Sequence, residues 1–322
     1  MTRDARAYFE EHVIPRIAGE FPNVASDMSI MVEGSVGLGT DDDFSDLEAS
    51  VYLPDELWRT DGWRVQLLLN RCLRESCPWT GNGSVVCVSR ISQLLGGHAA
   101  DLLAGTKEPS WEQMAMPDLF GLQECLILRD ADGRLAKLRA ATPPERVPDH
   151  LWRKWLLLSL KKLLWADLGE LEVSVKRERW PEAQVVLGCV LEDLFHVGFM
   201  INKRYCPWRK HLRWAFQQLP EPAAELLPHL DVVAGAEGWE RRLSSIEAAR
   251  RAYARHIHEN GLLPTVDVLA QDLCEELAWA ERLEAWSNPD WRDCIARCER
   301  KAREAGEDAR DFWVFSLWGN AR

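Results

Sequence analysis

The stretch MVEGSVGLGTDDDFSDLEASVYL, residues 31–53, predicts two strands joined by a glycine-bearing turn or short helix with an acidic loop. Its last eight residues alternate polar and apolar side chains, which is the period-two pattern of a half-buried strand. Because successive side chains point to opposite faces of a strand, Asp46 and Glu48 share one face, whereas Leu47 and Ala49 take the core face. Two carboxylates beside a core are costly unless a cation pairs with them. The pattern therefore predicts a cation site where this strand begins.

The spacing of the two carboxylates suits Mg²⁺. Residues two apart on a strand lie about 6 to 7 Å apart at Cα, so their oxygens can converge on one ion or hold two ions. Just upstream, Gly34 lets backbone N–H groups approach a phosphate, and the Ser35 hydroxyl can donate a hydrogen bond. The alternative is an acidic turn that leads into an edge strand, with Asp46 a plain solvated residue. We interpret Asp41–Asp43 as a solvated loop rather than as ligands.

Composition limits the classes of partner. The chain has 322 residues, 47% of them apolar and 28% charged, which is typical of a globular protein with enough length for two domains. Its formal net charge of -12 argues against a nucleic-acid ligand, because phosphate binding normally needs a basic surface. An acidic surface suits a cationic small molecule or a basic partner, and it also simply keeps a protein soluble.

Cysteine use and the N-terminus predict a cytoplasmic location. The nine cysteines are odd in number and include no CxxC pair, so we expect reduced thiols and no zinc ribbon. The first 21 residues carry charges throughout, unlike a signal peptide. We find no apolar run long enough for a membrane span, since Lys161 and Lys162 interrupt the longest apolar helix that we predict, and we therefore expect no membrane partner.

The element pattern predicts an α+β fold in two parts. The proline-rich segment ATPPERVP, residues 141–148, separates a small mixed α/β domain (1–145) from a helical domain (146–322). Strands in the first domain are predicted within 27–33, 46–53, 84–92 and 122–135. Helices in the second domain are predicted at 150–177, 181–205, 207–219, 240–260, 265–286 and 289–304.

The sequence Glu33-Gly34-Ser35, ten residues, then Asp46-Leu47-Glu48 resembles the signature of the nucleotidyltransferase superfamily of the DNA polymerase β type. The pattern is most similar to kanamycin nucleotidyltransferase and to uncharacterised bacterial nucleotidyltransferases with a helical C-terminal half. The resemblance implies a small nucleotidyltransferase sheet domain and Mg²⁺ held by the two carboxylates. It also implies transfer of a nucleoside monophosphate, AMP from ATP, to a hydroxyl of a small acceptor, with antibiotic modification of an aminoglycoside-like molecule as one case.

Many members of that superfamily carry a third carboxylate on a later strand, and the matching position here is Cys87. A thiol is a poor ligand for Mg²⁺, so metal binding would rest on the first two carboxylates, or catalysis would be lost. A second interpretation of Cys87 is a small buried apolar residue. The alternatives to a small-molecule enzyme are a non-catalytic nucleotide-binding module and nucleotidyl transfer to a protein target.

The resemblance also indicates where a general base would lie. Drug-modifying relatives use a Glu on a helix of the second domain, and the corresponding segment here is VLGCVLEDLFHVGFMINKRY, residues 186–205. On a helical wheel, Glu192, His196 and Lys203 share one polar face, which could supply a base and a phosphate contact. The bland interpretation is a solvated face with one ion pair. The apolar C-terminus, DFWVFSLWGNAR, could dock on the body of the protein or form the contact of a homodimer.

Overall fold

The computed structural model describes residues 4–79, 83–220 and 222–262, together with positions 300, 303, 304 and 306. The helices predicted at 265–286 and 289–304 and the apolar C-terminus lie outside the described residues, apart from those four positions. The chain divides into two compact units. The first comprises Met1–Val147 with Tyr205–Pro207, and the second comprises Pro148–Arg204 with Trp208–Arg322.

A four-stranded mixed sheet forms the centre of the first unit. Its strands are β1 (Ser29–Glu33), β2 (Glu48–Leu53), β3 (Val85–Arg90) and β4 (Leu126–Arg129), in the order β3-β2-β1-β4. β1 is antiparallel to β2 and β4, and β2 is parallel to β3. A small mixed sheet combined with many helices confirms the predicted α+β class.

The alternation predicted for β2 is visible in its burial. Ala49, Val51 and Leu53 are buried, whereas Glu48 and Ser50 on the opposite face are partly exposed. The buried face belongs to a hydrophobic core of this unit, which includes Phe9, Ile17, Ile30, Val32, Val65, Leu68 and Val86. One face of the sheet therefore meets a hydrophobic core, and the other carries polar side chains.

Eight α-helices surround this sheet in the described part of the first unit. They are α1 (Ala5–Tyr8), α2 (Ile14–Glu20), α3 (Pro22–Asp27), α4 (Gly34–Leu38), α5 (Asp55–Ser76), α6 (Ala99–Ala104), α7 (Met116–Glu124) and α8 (Arg134–Ala141). The sequence pattern missed α7. Its proline, Pro117, lies in the first turn, where the absent N–H has no helical partner to lose.

The described part of the second unit is helical. Its α-helices are α9 (Asp149–Lys161), α10 (Leu168–Lys176), α11 (Trp180–Ile201), α12 (Leu212–Phe216), α13 (Ala223–Ala234) and α14 (Trp239–Glu259), with a π-helical turn at Lys162–Asp167. The prediction treated Pro228 as a break, but it lies inside α13. The buried side chains of Leu226, Leu230 and Val233 hold that helix in place despite the hydrogen bond that proline removes.

Helix α11 contradicts the expectation that the chain has no apolar run long enough for a membrane span. Among the described residues it is the one helix long and apolar enough to cross a membrane by length and composition. More than half of its most apolar window is buried within the protein. The Tyr253 hydroxyl on α14 donates a hydrogen bond to the Leu194 carbonyl, so α11 packs as a core helix of the second unit.

Candidate functional site

Glu48 lies at the start of β2, directly opposite the end of β1. Its register partner is Glu33, and Gly34 follows with a positive φ of 61°. A methyl group added at Gly34 would overlap Oε2 of Glu48 and would displace this carboxylate from its position. The structure therefore brings Glu48, Gly34 and the adjacent Ser35 to one end of the sheet.

Asp46 precedes β2, and two backbone hydrogen bonds of the next residue, Leu47, fix the position of its backbone. The Leu47 N–H donates to Oγ of Ser84 at 3.0 Å, and the Leu47 carbonyl accepts from the Val85 N–H at 2.7 Å. The Asp46 side chain lies against Gly83, where an added methyl group would overlap Oδ2. Asp46 and Glu48 are both partly exposed, whereas Leu47 between them is buried. This agrees with the predicted alternation.

The polar face of the sheet carries an additional carboxylate that the sequence pattern did not single out. Oε1 of Glu33 accepts hydrogen bonds from Ser50 Oγ at 2.9 Å and from the Tyr52 hydroxyl at 3.5 Å. Burial raises the pKa of Glu33, and the nearby charges of Glu48 and Asp118 raise it further. The register of β1 and β2 could have revealed from sequence that Glu33 pairs with Glu48. No such signal exists for Asp118, because it lies on α7, far along the chain.

Cys87 lies on β3 as the register partner of Ser50. In-register residues of neighbouring strands point to the same face of a sheet, so Cys87 shares the polar face with Glu48. Cys87 is exposed, and its interpretation as a buried apolar residue was wrong. Position 87 is therefore accessible from the same side of the sheet as the candidate metal ligands.

Two carboxylates at this end of the sheet fit a hard divalent cation. Mg²⁺ prefers carboxylate oxygen, and it usually takes one or two protein carboxylates and completes its shell with water and substrate phosphates. Within the described part of the chain, no group of three or more His, Cys, Asp or Glu side chains is arranged to hold a metal. Asp46 and Glu48 would thus form an incomplete site that needs oxygens from a ligand.

In the second unit, Glu192 and His196 lie one turn apart on α11, as predicted. Oε1 of Glu192 is 2.8 Å from Nε of Arg209 and 4.0 Å from Nε2 of His196. Burial lowers the pKa of His196, and the positive charges of Lys162 and Arg209 lower it further against the opposing effect of Glu192. The side chains of Glu192 and His196 are 20% and 31% exposed, so this face is partly solvated, and the two residues form the i,i+4 pair of the bland interpretation.

Lys203 does not continue that polar face. Helix α11 ends at Ile201, and Lys203 follows in a turn with a φ of 51°. Its Nζ lies 2.6 Å from Oδ1 of Asp149, in the first turn of α9. The prediction that Lys203 shares a helical face with Glu192 was wrong, because the helix ends before this residue.

A buried carboxylate beside the polar pair was left out of the prediction. Oδ1 of Asp193 accepts a hydrogen bond from Nζ of Lys162 at 2.7 Å, and Asp193 is 1% exposed. Lys162 Nζ is also 3.5 Å from Oδ2 of Asp167. Burial, together with a hydrogen bond to Asp167, raises the pKa of Asp193 to about 7. The π-helical turn that brings Lys162 and Asp167 to α11 has no signal in the hydrophobic pattern.

Residues 111–214 are similar to a family described as Domain of unknown function (DUF4037). The matched segment is less than half of the chain and begins before α7 and ends within α12. It includes Asp193 and His196, whereas the glycine and carboxylates at positions 34, 46 and 48 precede it. The comparison with curated proteins found no match.

Proposed function

We propose that this protein is a Mg²⁺-dependent nucleotidyltransferase that moves a nucleoside monophosphate, AMP from ATP, to a hydroxyl of a small acceptor. One observation carries the proposal. The Glu48 carboxylate lies against Gly34, and Asp46 lies at the same end of the sheet, on a turn pinned to the start of β3. This arrangement supports the metal and phosphate roles that the sequence resemblance implies.

The position of Glu48 argues for a cation in the reaction. A phosphate that approaches the backbone at Gly34 would meet the carboxylate that lies against this glycine. The phosphate and the Glu48 carboxylate would then repel each other strongly, because the site is only partly exposed to water. A divalent cation between them reverses the sign of that interaction. Phosphate binding at Gly34 and metal binding at Glu48 are therefore expected to depend on each other.

Each residue then has a defined task. Asp46 and Glu48 hold the ion, while the backbone at Gly34 and the Ser35 hydroxyl contact the phosphates. A divalent cation bound by these residues would supply charge neutralisation for a triphosphate. Phosphoryl-type transfer requires mainly positioning and charge neutralisation, which a site of few fixed groups can supply.

His196 is the better of the two candidate bases in the second unit. The Glu192 carboxylate is already paired with the Arg209 guanidinium at 2.8 Å. The lowered pKa of His196 keeps its imidazole neutral at physiological pH, so a ring nitrogen is available to accept the proton of an acceptor hydroxyl. The net charge of -12 favours a cationic acceptor of the aminoglycoside type.

Calorimetric titration with ATP, with and without Mg²⁺, tests the proposal. The Asp46→Asn/Glu48→Gln variant removes both candidate ligands. The Glu56→Gln/Asp132→Asn variant removes the same charge from two exposed positions outside the ligand pair and the loop before it, and serves as the matched control. We expect Mg²⁺-dependent ATP binding in the wild type and the control, and its loss in the ligand variant. Equal binding by all three proteins, or none in the wild type, would refute the metal site.

A further inference from the structure

The loop before Asp46 exposes an aromatic side chain. Phe44 is 91% exposed, more than any other large apolar side chain among the described residues. The next residue, Ser45, is only 9% exposed. The chain therefore turns sharply between a residue facing water and one facing the protein, immediately before the candidate metal ligands.

This exposure belongs to a loop held by hydrogen bonds. Oδ1 of Asp42 accepts hydrogen bonds from the Phe44 N–H and from Ser45 Oγ, both at 3.0 Å. The Ser45 hydroxyl oxygen in turn accepts from the Asp42 N–H at 2.9 Å. Side-chain bonds of this kind fix a turn without help from a helix or strand. The aromatic ring is thus presented by an ordered turn.

The charges beside Phe44 and its distance from Asp46 limit which part of a bound ligand the ring can contact. Phe44 is two residues from Asp46, so their Cα atoms are within about 7 Å of each other. Exposed Asp41, Asp42 and Asp43 precede the ring, and their charges repel phosphate groups from the tip of the loop. A ligand with phosphates beside Asp46 would therefore direct its uncharged end toward Phe44. In a nucleoside triphosphate that end is the base.

We propose that Phe44 stacks on the base of the bound nucleotide and so makes the site select nucleotides over inorganic polyphosphate. This inference rests on the proposed function, because it requires phosphates held at Asp46 and Glu48. Stacking of a base on an aromatic ring is tolerant of base identity. The ring would therefore raise affinity for any nucleoside triphosphate relative to tripolyphosphate.

Titrations of the full chain with ATP and with inorganic tripolyphosphate, both with Mg²⁺, test this role. We expect Phe44→Ala to weaken ATP binding about tenfold and to leave tripolyphosphate binding unchanged. Phe44→Trp should retain wild-type affinity for ATP, because the indole ring also stacks. Trp63→Ala, which removes a 65% exposed aromatic side chain from α5, is the matched control and should leave the affinity for both ligands unchanged.

Three outcomes would overturn the stacking role. Unchanged ATP affinity in Phe44→Ala would overturn it alone and leave the proposed function standing. If Phe44→Ala weakened ATP and tripolyphosphate binding equally, Phe44 would maintain the conformation of the loop and would not stack on the base. If the wild type binds neither ligand in a Mg²⁺-dependent manner, the stacking role and the proposed function are both refuted.

Discussion

Glu33 and Glu48 are register partners on the antiparallel strands β1 and β2, so two carboxylates stand side by side on the polar face of the sheet. Their surroundings differ. Glu33 accepts hydrogen bonds from Ser50 and Tyr52, whereas the Glu48 carboxylate lies against the backbone at Gly34. We infer that Ser50 and Tyr52 hold Glu33 in place, whereas Glu48 is the carboxylate that lies against Gly34, where we propose that the metal ion binds.

Neutral substitutions at the two positions should separate these roles. Like charges directly opposite each other destabilise a sheet, so Glu33→Gln and Glu48→Gln are each expected to raise the free energy of unfolding by up to about 1 kcal/mol. Urea unfolding without metal at pH 8 measures this gain. Calorimetry with Mg²⁺ and ATP should then show binding by Glu33→Gln and no binding by Glu48→Gln. Loss of binding in Glu33→Gln alone would reverse the assignment.

The space over Gly34 offers a second test. Gly34→Ala should destabilise the protein by about 1 to 2 kcal/mol, because the alanine must adopt a positive φ. It should also weaken Mg²⁺-dependent ATP binding, because the added methyl group displaces the Glu48 carboxylate. Gly39→Ala is the matched control, since Gly39 has a φ of 69° and open space where a Cβ would lie. Equal effects of both variants on ATP affinity would contradict the proposed position of Glu48.

The sequence predicted this end of the sheet well because its information is local. Alternation along β2 predicted which side chains face the core, whereas the positive φ of Gly34 was not predicted. The pairing of Glu33 with Glu48 depends on strand register, and the approach of Asp118 depends on the packing of α7. Neither relationship is contained in the spacing of residues along one segment.

The exposed thiol of Cys87 on β3 allows a test of whether a carboxylate at this position would add a metal ligand. Cys87→Asp adds a carboxylate on the same face as Glu48, next to Ser50. We expect it to raise the affinity for Mg²⁺ in the presence of ATP several-fold, because a hard cation gains an oxygen ligand. Cys87→Asn provides the control for size and polarity without charge. If both variants bind Mg²⁺ equally well, position 87 does not reach the ion.

The buried carboxylate on α11 predicts a pH dependence of stability. The pKa of Asp193 is raised to about 7, so between about pH 4 and 7 the folded protein retains a proton that the unfolded chain releases. This contribution to stability is complete below about pH 4 and is lost as the pH rises through 7. Urea unfolding from pH 5 to 8 should show a decline of at most about 1.4 kcal/mol per pH unit that is absent in Asp193→Asn.

Asp231→Asn is the control for that series. The Arg213 guanidinium lowers the pKa of Asp231, so its titration lies below the tested range and the decline should persist in this variant. Parallel pH profiles for the wild type and Asp193→Asn would show that Asp193 is ionised throughout. Added salt should leave the decline largely unchanged, because the main cause of the raised pKa of Asp193 is burial, which salt does not screen.

The second unit was harder to predict from sequence for two physical reasons. Helical periodicity located α11 but gave no sign of its end at Ile201, which separates Lys203 from the polar face of Glu192 and His196. The same pattern treated Pro228 as a stop, although burial of the neighbouring leucines stabilises α13 around it. Helix ends and tolerated prolines are decided by tertiary packing, which a single sequence does not report.

The most direct test of the account is anomalous diffraction from crystals grown with Mn²⁺ and a non-hydrolysable ATP analogue. We predict a manganese peak within coordination distance of the carboxylate oxygens of both Asp46 and Glu48, with phosphate oxygens of the analogue completing its shell. A manganese peak remote from both residues, or a nucleotide bound elsewhere in the protein, would contradict the central claim.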